Sequence, residues 1–106
     1  MNIKKYKVII LPKFKEEFYK KFGYILEHQK KDITYHKLFD SIILKLQQLE
    51  DMPKIHAKIE KSDELGRRYR KIIIKQYIIL YTIDESNKQV YISNIFYKKS
   101  DYLNRI

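Results

Sequence analysis

Apolar and polar positions follow two different periods along this chain, and the change of period marks its plan. Ile3 to Leu11 is rich in β-branched residues and predicts a first strand, which Pro12 ends. Proline is tolerated in the first turn of a helix, so a helix is predicted to start there. From Lys13 to Gln29, Phe14, Phe18, Phe22, Ile25 and Leu26 recur at helical spacing. Gly23 lies inside that run. It costs about 1 kcal/mol relative to alanine, so it predicts close packing or a kink. Lys30, Lys31 and Asp32 interrupt the pattern as a short turn. Tyr35, Leu38, Phe39, Ile42, Leu46 and Leu49 then form a second helical stripe, with Pro53 expected to stop it. Ile43 and Leu44 widen this stripe, which predicts burial on more than one side. The two helices make a helical hairpin.

Lys54 to Gly66 reads as a polar connector with Ile55, Ile59 and Leu65 as scattered anchors. The gap between Ile55 and Ile59 permits one short helical turn, and Gly66 suits a turn before the strands. The period then becomes two. Tyr69 to Lys75 places Arg70, Ile72 and Ile74 on one side and Tyr69, Lys71, Ile73 and Lys75 on the other. Tyr77 to Asp84 is nearly all apolar, as a central strand requires. Glu85, Ser86 and Asn87 form a predicted hairpin turn, with Asn87 suited to a positive φ. Gln89 to Tyr97 is the last strand. The predicted fold is α+β, in the order β-α-α-β-β-β: an N-terminal strand, a helical hairpin and a three-stranded antiparallel meander, with the helices on one face.

A length of 106 residues predicts one domain spanning 1–106. Hydrophobic residues form 44% of the chain, which argues against disorder. The formal charge is +10, from 23 basic and 13 acidic residues, and favours polyanions or acidic partners. The excess is uneven: residues 67–106 carry nine Lys and Arg against three acids. Cysteine is absent, which excludes disulfides and Cys-ligated metals and fits a cytoplasmic protein. The first apolar run is too short for a signal-peptide core, and no stretch approaches a membrane span. No membrane partner, metal or cofactor is expected.

The candidate binding residues lie at the two ends of the strands. Arg67, Arg68, Arg70 and Lys71 form the densest cationic group, and arginine can hold phosphates or carboxylates with two parallel hydrogen bonds. A solvated strand end explains the same residues. Tyr97 and Tyr102 flank the Lys98-Lys99 pair. The other strand tyrosines, Tyr69, Tyr77, Tyr81 and Tyr91, are expected to pack at the sheet surface with their hydroxyls at its rim. His28, His36 and His56 lack a telling carboxylate or metal-ligand spacing and read as solvated surface residues.

Two segments carry a family resemblance. One is YKVIILPKFKEEFYKKFGYI, a strand closed by proline and followed by a helix. The other runs from Tyr69 as Y-R-x-I-x-x-x-x-Y-x-I-x-Y-x-I-D-E and continues as V-Y-I-x-x-I-F-Y-x-x-x-D-Y. In this order, over nearly the whole chain, they resemble the RelE/ParE family of bacterial type II toxins. The resemblance implies a small growth-inhibiting toxin silenced by a cognate, acidic, partly disordered antitoxin. ParE-like members block DNA gyrase. RelE-like members cut mRNA in the ribosome with basic residues and a C-terminal tyrosine. Carried over, the RelE pattern finds Arg70 and Tyr102 as catalytic candidates. The arginine expected on the third strand falls at Ile78, and the one past the fourth falls near Tyr97, beside Lys98 and Lys99. The thinner set favours a ParE-like gyrase inhibitor that is not an enzyme. An mRNA interferase is the alternative, and a third reading is an inactive partner-binding module of the same fold. A homodimer is among the assemblies this family pattern allows.

Overall fold

The structure is a computed structural model that describes residues 5–28, 33–60 and 68–106. Its elements are β1 (Lys7–Ile10), α1 (Pro12–His28), α2 (Ile33–Gln48), β2 (Arg70–Ile74), β3 (Tyr77–Asp84) and β4 (Gln89–Tyr97), followed by a 3₁₀ turn at Tyr102–Arg105. The α+β order therefore stands as predicted. The expected turn at Lys30–Asp32, and Leu65 and Gly66, lie outside the described residues.

The four strands form one sheet in the order β1-β4-β3-β2. β2, β3 and β4 are the predicted meander, each antiparallel to the next. β1 joins the far side of β4 in parallel, with Val8 opposite Val90 and Ile10 opposite Ile92. The other edge is partly covered by the connector. Lys71 N donates to the Ala57 carbonyl at 3.0 Å, and Ile59 N donates to the Tyr69 carbonyl at 2.8 Å.

Both helices pack on one face. Phe14 and Phe22 of α1 and Leu38 and Ile42 of α2 are buried against Ile72, Ile79, Val90 and Ile92 of the sheet. Phe22 meets Phe39 and Tyr77 edge-on, at 5.3 and 5.1 Å between ring centres, the arrangement favoured by aromatic quadrupoles. On the opposite face Ile78, Leu80 and Phe96 are covered by Ile59, Tyr69, Tyr102 and Ile106.

A bulge sets the register of β4. Leu80 lies opposite Asn94 while Tyr81 lies opposite Ile92, so Ser93 is an extra residue. Its hydroxyl donates to the Leu80 carbonyl at 3.2 Å. Straight alternation from Val90 and Ile92 would turn Ile95 away from the helices. The bulge returns it to the helix-facing core. β1 pairs β4 only as far as Ile92. Beyond that point Glu17 of α1 takes over, accepting from Ile95 N at 3.1 Å and Asn94 Nδ2 at 3.2 Å.

Several local expectations are corrected. α2 ends at Gln48, and the chain turns over Leu49–Asp51, ahead of Pro53. Ile43 and Leu44 are 52% and 61% exposed, so the stripe of α2 buries one side only. Ile55 is exposed while Ile59 is buried, and a β-bridge at Lys58 replaces the predicted helical turn. Lys88, at φ 51°, takes the positive φ of the hairpin. Asn87 instead binds Asp84, its Nδ2 donating to Oδ2 at 2.8 Å. Gly23 reflects close packing: a Cβ there would sit 3.0 Å from the Tyr19 ring.

Candidate functional site

Two basic groups sit at opposite ends of the sheet. Arg70 opens β2 opposite Tyr81, whereas Tyr97 closes β4 opposite Tyr77. Four positions along β3 separate these levels, about 14 Å at strand rise. Arg67 lies outside the described residues. Lys71 is half-buried and Arg68 is exposed.

Arg70 is held by the connector. Its Nη1 donates to the Lys54 carbonyl at 3.2 Å and the His56 carbonyl at 2.8 Å. Lys58 forms an isolated bridge with Arg70. Lys54, Lys58, Arg68 and Arg70 line a groove of about 660 Å³ with Ile83 and Glu85. Glu85, the acid among these residues, is already engaged. It accepts from the Tyr6 hydroxyl at 2.6 Å and pairs with Lys54 at 3.0 Å and Lys88 at 3.7 Å. Those hydrogen bonds from Tyr6 and Lys54 lower its pKa from the ordinary glutamate value.

His56 corrects the expectation of a solvated histidine. It is half-buried, its ring meets Tyr81 edge-on at 6.1 Å, and Nε2 is buried without a hydrogen-bond partner. Burial, with Lys45 and Arg70 adding positive charge nearby, pushes its pKa down and favours the neutral ring. His36 is exposed, and the His28 side chain lies outside the described residues. Tyr81 is also deeper than expected. Its hydroxyl is inside the fold and donates to the Pro53 carbonyl at 2.6 Å. Burial pushes its pKa up to about 12.

The second basic group surrounds Tyr97, which is 47% exposed. Tyr97 lies 5.5 Å from Tyr77, and Lys21 Nζ stands 5.0 Å from its ring centre. Burial lowers the Lys21 pKa; Glu17 opposes this, while Arg105 and Lys20 reinforce it. Lys98 and Lys99 are exposed, and Lys98 N donates to the Gln76 carbonyl at 2.6 Å. Tyr102 turns away from them. It stacks on Phe96 at 6.1 Å and joins the cluster on the sheet face opposite the helices. Arg70 shares the helix-facing side with Ile72 by alternation, so Arg70 and Tyr102 fall on opposite faces. Ile78 is 3% exposed and lies between Ile73 and Phe96 in the register.

This arrangement can bind anions, but it does not bring Arg70, Tyr102 and a second cation around one reacting group. Lys54, Lys58 and Glu85 were missed by sequence reading. Only the bridge beside β2 and the hairpin turn bring them to Arg70. Among the described residues no group of three His, Cys, Asp or Glu could hold a metal, and no helix is long and apolar enough to cross a membrane.

A family model described as the ParE toxin of type II toxin–antitoxin systems, parDE, matches residues 8–102. No curated protein matches the chain significantly.

Proposed function

The chain belongs to the ParE toxin family of type II toxin–antitoxin systems, and from that premise we propose that it arrests growth by inhibiting DNA gyrase in the cytoplasm until a cognate acidic antitoxin binds it. What supports a non-nuclease reading is the buried aliphatic side chain at Ile78, where the RelE pattern calls for a cation. Cleaving RNA needs a base for the 2′-hydroxyl, positive charge at the phosphorane and an acid for the leaving oxygen, all within hydrogen-bond reach. Arg70 binds backbone carbonyls and Tyr102 packs on Phe96, on opposite faces of the sheet. The binding role is assigned to Arg68, Arg70 and Lys71 at one end, to Tyr97, Lys98 and Lys99 at the other, and, from the sequence alone, to Arg67. A charge of +10 suits an acidic antitoxin that orders as it binds.

A supercoiling assay with purified protein, gyrase and relaxed plasmid tests this reading. Inhibition is expected, and it should be reversed by the antitoxin. Intact supercoiling at excess protein, together with cut translated messages, would instead establish an mRNA interferase. Unchanged growth on induction without the antitoxin would establish an inactive binding module.

A further inference from the structure

The groove beside β2 has more positive charge than the fold uses. Of its four cations, Lys54 is paired with Glu85. Among the described residues, no carboxylate lies within ion-pair distance of Lys58, Arg68 or Arg70. Arg68 holds a left-handed backbone, φ 54°, which for a residue with a Cβ costs about 1 kcal/mol or more. Like charges gathered in a concavity repel one another, and an anion seated there removes that cost.

The geometry also narrows the anion. Arg70 is oriented in advance by two backbone carbonyls through one nitrogen, so its planar fork is positioned before any ligand arrives. A carboxylate is satisfied by one guanidinium fork. A terminal phosphate carries close to two negative charges at neutral pH and three acceptor oxygens, which matches three cations that have no acidic partner among the described residues. Ile83 adds an apolar wall, and about 660 Å³ is room for a body larger than the phosphate alone.

We infer that this groove is a binding site for a terminal phosphate group, with Lys58, Arg68 and Arg70 as its ligands and Ile83 against the attached base or sugar. Two sources share that chemistry: a free mononucleotide and the 5′-phosphorylated end of a nucleic acid. The inference goes beyond gyrase inhibition and stands whether or not that reading holds.

Calorimetric titration of the full chain at physiological salt tests the site, using inorganic phosphate, AMP, adenosine, and one oligonucleotide with either a 5′-phosphate or a 5′-hydroxyl. Inorganic phosphate and AMP should bind, and adenosine should not. Lys58→Gln with Arg68→Gln should weaken AMP binding about tenfold or more, the loss expected from two charge-assisted contacts. Both side chains are exposed, and an unchanged melting temperature would show that the fold survives. Lys13→Gln with Lys37→Gln, which removes the same charge from exposed positions on the two helices, should change binding less than about twofold. Glu85→Gln releases Lys54 and should tighten binding. A free nucleotide is the source if AMP binds and the two oligonucleotides bind alike; a nucleic-acid end is the source if the 5′-phosphate strengthens oligonucleotide binding. Equal binding of adenosine and AMP, equal losses in the two double variants, or no tightening in Glu85→Gln would each overturn the inference.

Discussion

The Tyr81 hydroxyl donates a 2.6 Å hydrogen bond to the Pro53 carbonyl, joining the centre of the sheet to the connector after α2. The same connector is gripped by Arg70 through the Lys54 and His56 carbonyls. Tyr81→Phe leaves the buried Pro53 carbonyl without its donor. It is expected to cost about 1–3 kcal/mol, measurable by urea unfolding. The raised Tyr81 pKa also fixes an alkaline limit. The unfolded chain loses this proton near pH 10 and the folded chain only at about 12, so this contribution to stability falls as pH rises through that window.

Glu17 stands where β1 stops pairing, and its carboxylate accepts the Ile95 amide. Glu17→Ala leaves that amide short of a partner and is expected to cost about 1.5–3 kcal/mol, the range for hydrogen bonds to charged groups. Glu17→Gln keeps an acceptor and should lose less. Equal losses in chemical denaturation would show that the hydrogen bond contributes little.

Ile78→Arg writes the RelE-type cation into the sequence. The position is buried beside Leu80 and Phe96, so the charge would be taken out of solvent into an apolar cluster. The variant is expected to lose more than about 3 kcal/mol and to gain no RNA cleavage. A stable variant that cuts RNA would show that the second sheet face opens readily.

His56 makes stability depend on mild acid. Its pKa is depressed in the folded chain, so the unfolded chain takes up the proton first as pH falls below about 6.5. Stability present above that pH is lost as pH falls toward the folded value. The melting temperature should decline between pH 7 and 5, and less steeply in His56→Gln. Asp84 and Glu85, whose pKa values are also lowered, act in a more acidic window.

Much of the candidate site was not legible in the chain. Arg68, Arg70 and Lys71 stand out as a run, but their partners do not. Lys54 and Lys58 look like solvent-facing connector residues, and Glu85 looks like an ordinary turn residue. They reach Arg70 because the connector bridges β2 and because the β3–β4 turn returns to the same end of the sheet. Tyr102 and Lys98 are close in sequence yet diverge, because the 3₁₀ turn folds Tyr102 onto Phe96.

What the sequence determined by itself was local: the period change from helix to strand, the bounds of β3 and β4, the Phe14-Phe18-Phe22 stripe and the side of β2 that carries Ile72 and Ile74. These follow from backbone periodicity and from short-range sterics, which each segment carries wherever it is placed. The tertiary structure alone decided the parallel pairing of β1 with β4, the Ser93 bulge, the exposure of Ile43 and Leu44 and the burial of His56. Each depends on which surface another segment happens to cover. Periodicity states that a face is apolar, but only the packed chain determines whether anything lies against it.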